Sequence, residues 1–309
     1  MIVSCGEALI DFIPARTEEG AAAYLPRPGG SLYNVAVALG RLGVPAGFAG
    51  GISTDFFGDR LVANLRESGV CTDYLARLDR PSTLAFASFD AAEPAYAFYD
   101  AEAADRHWQL PEAFPGAEVA AVHCGSLALV REPARAAFEE LLARTQARGN
   151  VVSLDPNIRP EQIGDPPEHR ARLRRLAGFS DIVKLSLADL AWLAPASAPA
   201  DYAQSLLQAG ASLVVVTAGG GGATAYGRTA KVTCPAEPVQ VADTVGAGDA
   251  FLGGLLAGLW DGGHLDRAVL PSLGEAALRE ALLLALRVAA LTCGRIGAEP
   301  PWRRELPVA

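Results

Sequence analysis

Residues 120–155 carry the stretch whose reading decides the fold class: Ala120-Ala-Val-His-Cys-Gly-Ser126, Pro133-Ala-Arg-Ala-Ala-Phe-Glu-Glu-Leu-Leu-Ala-Arg-Thr-Gln-Ala-Arg-Gly149 and Val151-Val-Ser-Leu-Asp155. A short β-like run gives way to a helical segment and then to another β-like run, the pattern of a βαβ unit. The alternation extends outward in both directions. Upstream, Ile2-Val-Ser-Cys-Gly6 precedes Val35-Ala-Val-Ala-Leu-Gly-Arg-Leu-Gly43; downstream lie Asp181-Ile-Val-Lys-Leu-Ser186 and Leu213-Val-Val-Val-Thr-Ala218. An α/β fold around a mainly parallel sheet is expected. Ligands of such sheets gather beyond the carboxyl ends of the strands, so Asp11, Gly125, Asp155, Ser186 and Thr217, each just after an apolar run, are the residues to inspect.

The 309 residues, half of them apolar, can bury a substantial core in one large α/β domain or two modest ones. Against 35 acidic residues stand 26 Lys and Arg, a formal charge of −9, with the acids scattered along the chain. A nucleic-acid partner, which needs clustered cations, is not expected. A nucleotide is not excluded, because one site can hold phosphates with backbone N–H groups. Cys5, Cys71, Cys124, Cys234 and Cys293 form no CxxC pair and read as free, mostly buried thiols. The opening Met1–Phe12 has no basic n-region and is interrupted by Glu7 and Asp11, a poor fit to a secretory signal. Residues 276–293 include Arg279, Glu280 and Arg287 and suit a packed amphipathic helix better than a membrane span. A cytoplasmic protein without a membrane partner is the expectation.

Two segments break the alternation, roughly residues 12–30 and 80–100. In the second, Ser82-Thr-Leu-Ala-Phe-Ala-Ser-Phe-Asp-Ala-Ala-Glu-Pro-Ala-Tyr-Ala-Phe-Tyr-Asp100, aromatic and small residues alternate. Both read as strands of a small sheet inserted into a single domain spanning 1–309, with Glu93-Pro94 marking a hairpin turn. A lid over the site and an ordinary edge hairpin are the two readings.

Asp243-Thr-Val-Gly-Ala-Gly-Asp-Ala-Phe251 is the strongest local signal, a glycine-rich turn feeding a helix. Gly246 and Gly248 let backbone approach an anion, and the first N–H groups of a helix lack internal partners. Asp249 falls in that first turn, where a carboxylate can take a proton from an alcohol attacking phosphorus. An Asp that merely complements the helix dipole is the plain alternative.

This run resembles, without a mismatch, the C-terminal signature of the ribokinase-like (phosphofructokinase B type) carbohydrate kinases. Gly29-Gly-Ser-Leu-Tyr-Asn-Val-Ala-Val-Ala-Leu-Gly-Arg-Leu-Gly43 and Gly50-Gly-Ile-Ser-Thr-Asp-Phe-Phe-Gly58 resemble the N-terminal one. The resemblance implies a three-layer αβα sandwich with a mainly parallel central sheet and a small β-sheet lid. It also implies a kinase using ATP and Mg²⁺, with K⁺ a further cation in several members. Asp249 becomes the base; Gly246, Ala247 and Gly248 become the anion hole, with Arg159 of Asp155-Pro-Asn-Ile-Arg159 beside the phosphates. Asp11, at the end of the first strand, joins Gly29, Gly30, Asn34, Phe98 and Gly125 around the acceptor sugar. Lys184, Ser186, Thr217, Gly219 and Gly222 fall on the nucleotide side. Asp189 is implied as a magnesium contact through water, although Ser186 and Asp189 replace the usual Asn and Glu, and Asp243 is implied at the monovalent cation.

The lid segments look most like those of fructokinases, making fructose the leading acceptor. Many fructokinases carry Arg where Asp100 stands, and a carboxylate there is read as disfavouring an anionic sugar such as 2-keto-3-deoxygluconate. Other neutral sugars, 2-keto-3-deoxygluconate itself and nucleosides remain alternatives, as does a catalytically silent sugar sensor. A homodimer through the lid is expected, with apolar residues at 84, 86, 96 and 98 suited to burial. Gly220-x-Gly222-x-x-Ala225 superficially matches a dinucleotide turn, but the residues that follow read as a hairpin instead of a helix. No GxxxxGK[ST] run occurs, and the four histidines are too dispersed to suggest a catalytic role.

Overall fold

The computed structural model describes residues 1–88 and 96–307, so the expected Glu93-Pro94 turn lies outside the described residues. In chain order the strands are β1 (Ile2–Cys5), β2 (Leu9–Arg16), β3 (Ala22–Gly29), β4 (Ala46–Ser53), β5 (Val70–Cys71), β6 (Leu75–Leu78), β7 (Thr83–Ala87), β8 (Tyr96–Tyr99), β9 (Ala121–Gly125), β10 (Val151–Asp155), β11 (Ile182–Ser186), β12 (Leu213–Thr217), β13 (Ala223–Gly227) and β14 (Lys231–Cys234). The helices are α1 (Ser31–Arg41), α2 (Phe56–Glu67), α3 (Ala134–Ala147), α4 (Pro166–Phe179), α5 (Leu187–Leu193), α6 (Pro199–Ala209), α7 (Ala247–Asp261) and α8 (Glu275–Cys293).

The large sheet runs β14-β13-β12-β11-β10-β9-β1-β4-β5, with β6 beside β4. Its pairings are parallel from β12 to β5, and β13 and β14 join as an antiparallel hairpin. Because successive side chains point to opposite faces, each strand feeds two cores. Val3, Val122, Val152, Val183 and Val214 pack with Phe138 of α3, Leu173 of α4 and Leu206 of α6. Ile2, Ala121, Val151, Ile182 and Leu213 pack with Leu39 of α1, Leu255 of α7 and Leu282 of α8. Helices thus cover both faces, giving the αβα sandwich. The β13–β14 hairpin follows the Gly219–Gly222 turn directly, so the dinucleotide reading lacks its helix.

A second sheet, β3-β2-β7-β8, stands apart from the first. It begins earlier than the sequence suggested. The apolar Ala8-Leu-Ile10 looked like a continuation of the first strand, but the chain turns after Cys5, and Leu9 and Ile10 already belong to β2. Asp11 is therefore the third residue of β2, opposite Arg27 and Ala85, and does not end β1.

Register also divides the expected 84/86/96/98 stripe. Leu84 pairs with Tyr99 and Ala85 with Phe98, so Leu84 and Phe86 share one face while Tyr96 and Phe98 share the other with Leu9 and Asp11. On the first face Phe12 stacks on Phe86 at 4.3 Å, with Tyr24, Phe57 and Tyr99 packed edge-on around them.

Candidate active site

Small residues bring the two functional helices together. A Cβ on Gly253 of α7 would stand 2.5 Å from the Ala38 Cβ of α1, and Cβ atoms on Gly254 and Gly258 would stand 2.8 Å from the Ala285 and Ala281 Cα atoms of α8. Only glycine permits such approach. The first turns of α1 and α7 consequently face each other. Ser31 Oγ donates to Asp249 Oδ1 at 2.7 Å and Asn34 Nδ2 donates to Asp249 Oδ2 at 2.9 Å.

Gly246 caps α7 with φ 74°, in the left-handed region that favours glycine, and a Cβ there would meet the Ala298 Cβ at 2.5 Å. The Ala247 amide donates to the Thr244 carbonyl at 3.2 Å, whereas the Gly248 amide has no acceptor among the described residues. Both sit where the helix dipole favours an anion. Behind Gly248 lies Lys184 Nζ, 3.2 Å from where a Cβ would stand.

Ser31, Asn34, Gly246, Gly248 and Asp249 border a cavity of about 580 Å³, which also gathers Asp11, Gly30, Phe98 and Arg159, whereas Ala247 and Lys184 lie behind its wall. Burial pushes the Asp249 carboxyl above its usual range, opposed by the Ser31 and Asn34 hydrogen bonds and by the cations Lys184 and Arg159. Asp11 is pushed up to about 7 by burial and by the Asp249 charge, against the pull of Arg159. A buried carboxylate, the start of a helix and several polar side chains therefore share one cavity.

Other residues singled out in the sequence support the cavity from outside. Gly29 is pressed against the Asp11 carboxylate and Gly125 against the Asp155 carbonyl, so neither tolerates a side chain without displacement. Thr217, Gly219 and Gly222 lie at the end of β12 and its turn, outside the residues that line the cavity. Lys184 is 4% exposed and forms an ion pair with Asp155 at 2.8 Å, so it acts from beneath. Ser186 and Asp189 form a capping box on α5; Asp189 Oδ2 accepts from Ser186, and Oδ1 accepts from the Ile158 amide at 2.7 Å. That arrangement holds the loop bearing Asn157 and Arg159. Asp243 accepts from the Val245 amide at 3.1 Å and the Gly297 amide at 2.8 Å, joining the glycine turn to the later segment that carries Ala298. His123 is fully buried, its Nδ1 meeting Ser153, and burial depresses it to about 3.

The Asp100 reading needs correction. Its carboxylate is paired with Arg131 and lies 3.7 Å from Arg106, so it presents no free negative charge to the cavity. Arg131 also donates to Gln162 Oε1 at 2.6 Å and lies over the Phe98 ring at 5.7 Å.

Glu7, Ser31 and Asn157 line the cavity and received no role from the sequence, Tyr96 lines it although it was read as part of a dimer stripe, and Ser126 faces it as a strand-end residue. Asn157 and Ser126 have φ of 39° and 48°, a costly conformation for non-glycine residues that concentrates at functional sites. Glu7 follows a strand end, the signal that would have found it.

A sandwich of this topology that opens a cavity between a buried acid and a helix start has the parts that phosphoryl transfer to an alcohol requires. Residues 1–304 match the pfkB family carbohydrate kinases, and the chain belongs to that family. It is 44% identical over 282 residues to a fructokinase of Rhizobium leguminosarum bv. trifolii, covering 90% of this chain and 86% of that one. A fructokinase of Xylella fastidiosa with bound ATP superposes with TM-score 0.86 at 34% identity, covering 96% of this chain and 93% of that one. A fructokinase of Vibrio cholerae O395 bound to fructose, ADP and calcium superposes with TM-score 0.81 at 28% identity, covering 96% and 94%.

Proposed function

We propose that the chain is an ATP-dependent fructokinase that phosphorylates a primary hydroxyl of fructose. The observation that carries the reading is Asp249, held through both oxygens beside the start of α7 in a cavity shared with Asp11 and Arg159. The sugar lies against Asp11, Gly30, Asn34 and Phe98, under the small sheet. Its hydroxyl proton passes to Asp249 as the oxygen forms a bond to the γ-phosphorus. The bond from that phosphorus to the β,γ-bridging oxygen breaks, and ADP leaves. The amides at 246–248 and Arg159 stabilise the charge spread over the transferring oxygens.

A magnesium ion bound with ATP would neutralise charge on the phosphates, and Asp189 is the carboxylate assigned to it. No cluster of three His, Cys, Asp or Glu fit to hold a metal occurs among the described residues. Asp189, whose Oδ2 accepts from the Ser186 amide and hydroxyl and whose Oδ1 accepts from the Ile158 amide, would contact the ion through water. A potassium ion beside Asp243 is part of the proposal, checked by comparing turnover in K⁺ and Na⁺. We read residues 1–309 as one kinase domain with the small sheet as its lid, working in the cytoplasm. No helix among the described residues is long and apolar enough to cross a membrane. The face bearing Phe12, Phe86 and the 65%-exposed Tyr99 supports a homodimer through the lid. A monomer by light scattering at micromolar concentration would end that part.

ADP release should be measured across fructose, other ketoses, ribose, 2-keto-3-deoxygluconate and nucleosides, with Asp249→Ala as control. Fructose-dependent turnover that falls roughly 10²- to 10⁴-fold in the variant is expected. Wild-type turnover in Asp249→Ala would remove the base assignment, and a better acceptor would replace fructose.

A further inference from the structure

Three elements converge on the Ser31 hydroxyl. It carries one proton and two lone pairs. The proton goes to Asp249 Oδ1 at 2.7 Å, and Asn157 Nδ2 donates to the same hydroxyl oxygen at 2.8 Å. With Asn157 donating, the hydroxyl proton is directed away from it and toward Asp249. The Ser31 backbone is fixed as well: its amide donates to Glu7 Oε1 at 3.0 Å, while Glu7 Oε2 accepts the Ala128 amide at 3.3 Å. Glu7 is only 2% exposed. Asn157 is in turn held by Arg159, which donates to its Oδ1 at 2.8 Å, and by Asp155 Oδ1, which accepts its amide at 3.2 Å.

We propose that Ser31 is a positioning residue for the base: its hydroxyl, fixed by Glu7 and Asn157, orients the Asp249 carboxylate to receive the proton of the acceptor. The inference rests on reading Asp249 as the base. Asp249 is faced by Ser31 and Asn34 from α1, by Lys184 from β11, by Asp155 and Arg159 from β10 and its loop, and by Asp11 from β2. Lys184 and Arg159 favour its charged form, whereas Asp11 and Asp155 oppose it. Ser31→Ala removes one donor to the ionised carboxylate and leaves the other groups in place, so proton affinity rises and the carboxylate gains freedom to rotate.

The test is the pH profile of kcat/KM for fructose in wild type, Ser31→Ala, Ser31→Thr and Asp249→Asn, with ATP affinity measured by titration. In Ser31→Ala the acid limb should move up by about one pH unit. Its defect should be about tenfold on the acid side, the limit a one-unit shift sets, and shrink at alkaline pH, with ATP affinity unchanged. Ser31→Thr, which keeps the hydroxyl, should return the limb toward wild type. An unmoved limb in Ser31→Ala, or a loss equal at every pH, overturns the proposal. Asp249→Asn separates the two levels of the argument. If it is inactive at every pH while the Ser31→Ala limb stays in place, only the role of Ser31 is lost; if it retains turnover, the base itself has been misassigned.

Discussion

Lys184→Met should be among the more damaging single substitutions, although Lys184 lines no part of the cavity. Lys184 and Asp155 are 4% and 1% exposed and meet at 2.8 Å. Burial pushes Asp155 up to about 6, with Lys184 opposing that rise. Methionine fills the lysine stem but leaves Asp155 buried without its cation, and removing one partner of a buried pair costs about 3–5 kcal/mol. Urea denaturation at pH 7 measures this as a lower midpoint at unchanged slope. The deficit should grow from pH 5 to pH 8, because in the variant a protonated Asp155 is neutral and an ionised one is stranded. Lys184→Met/Asp155→Asn removes both charges while retaining an oxygen for the Asn157 amide, and should recover most of the loss. A single variant within about 1 kcal/mol of wild type, the scale of an ordinary surface substitution, or a double variant no more stable than the single, would refute the reasoning.

Glu7 supplies a test of opposite character. Burial pushes it up to about 8 from 4.5, so between those values the folded chain keeps a proton that the unfolded chain has released, and stability falls as pH rises through that window. Glu7→Gln should remove this contribution, so thermal unfolding of the variant should decline less from pH 5 to pH 8; parallel profiles would contradict it. Arg131→Ala should loosen Phe98 over the cavity, raising KM for the sugar about tenfold with KM for ATP unchanged. Asp100→Ala/Arg131→Ala should be no worse than Arg131→Ala alone, because the two residues act through one ion pair.

The alternation of short apolar runs and helices was enough to read the parallel sheet, because burial on both faces leaves contiguous apolar strands that a sequence displays directly. The turn at Gly246 was equally legible, since a positive φ and an unpaired helix start demand particular residues. What escaped were relations between distant segments. Nothing local tells that Ala8-Leu-Ile10 crosses from one sheet to another, or that β7 and β8 pair Ala85 with Phe98 and so place Leu84 and Phe98 on opposite faces. Asp100 read as a bare charge because Arg131 is 31 positions away. Ser31 looked like a spacer between two glycines and a helix, and its meaning depends on Asp249, 218 residues later.

The contact of Ala298 with Gly246 and the bond from the Gly297 amide to Asp243 have a consequence for biosynthesis. Ser31 and Asn34 emerge from the ribosome early, the glycine turn much later, and the segment that braces that turn later still. The sheet strands from β1 to β14 are all translated before residue 240, α7 and α8 follow to cover one face of the large sheet, and only then does the segment bracing the Gly246 turn appear. A nascent chain halted before residue 297 would then hold all of β1–β14 and α1–α8 while the turn at Gly246 lacked the contacts of Gly297 and Ala298, and should turn over less than a chain extended past them.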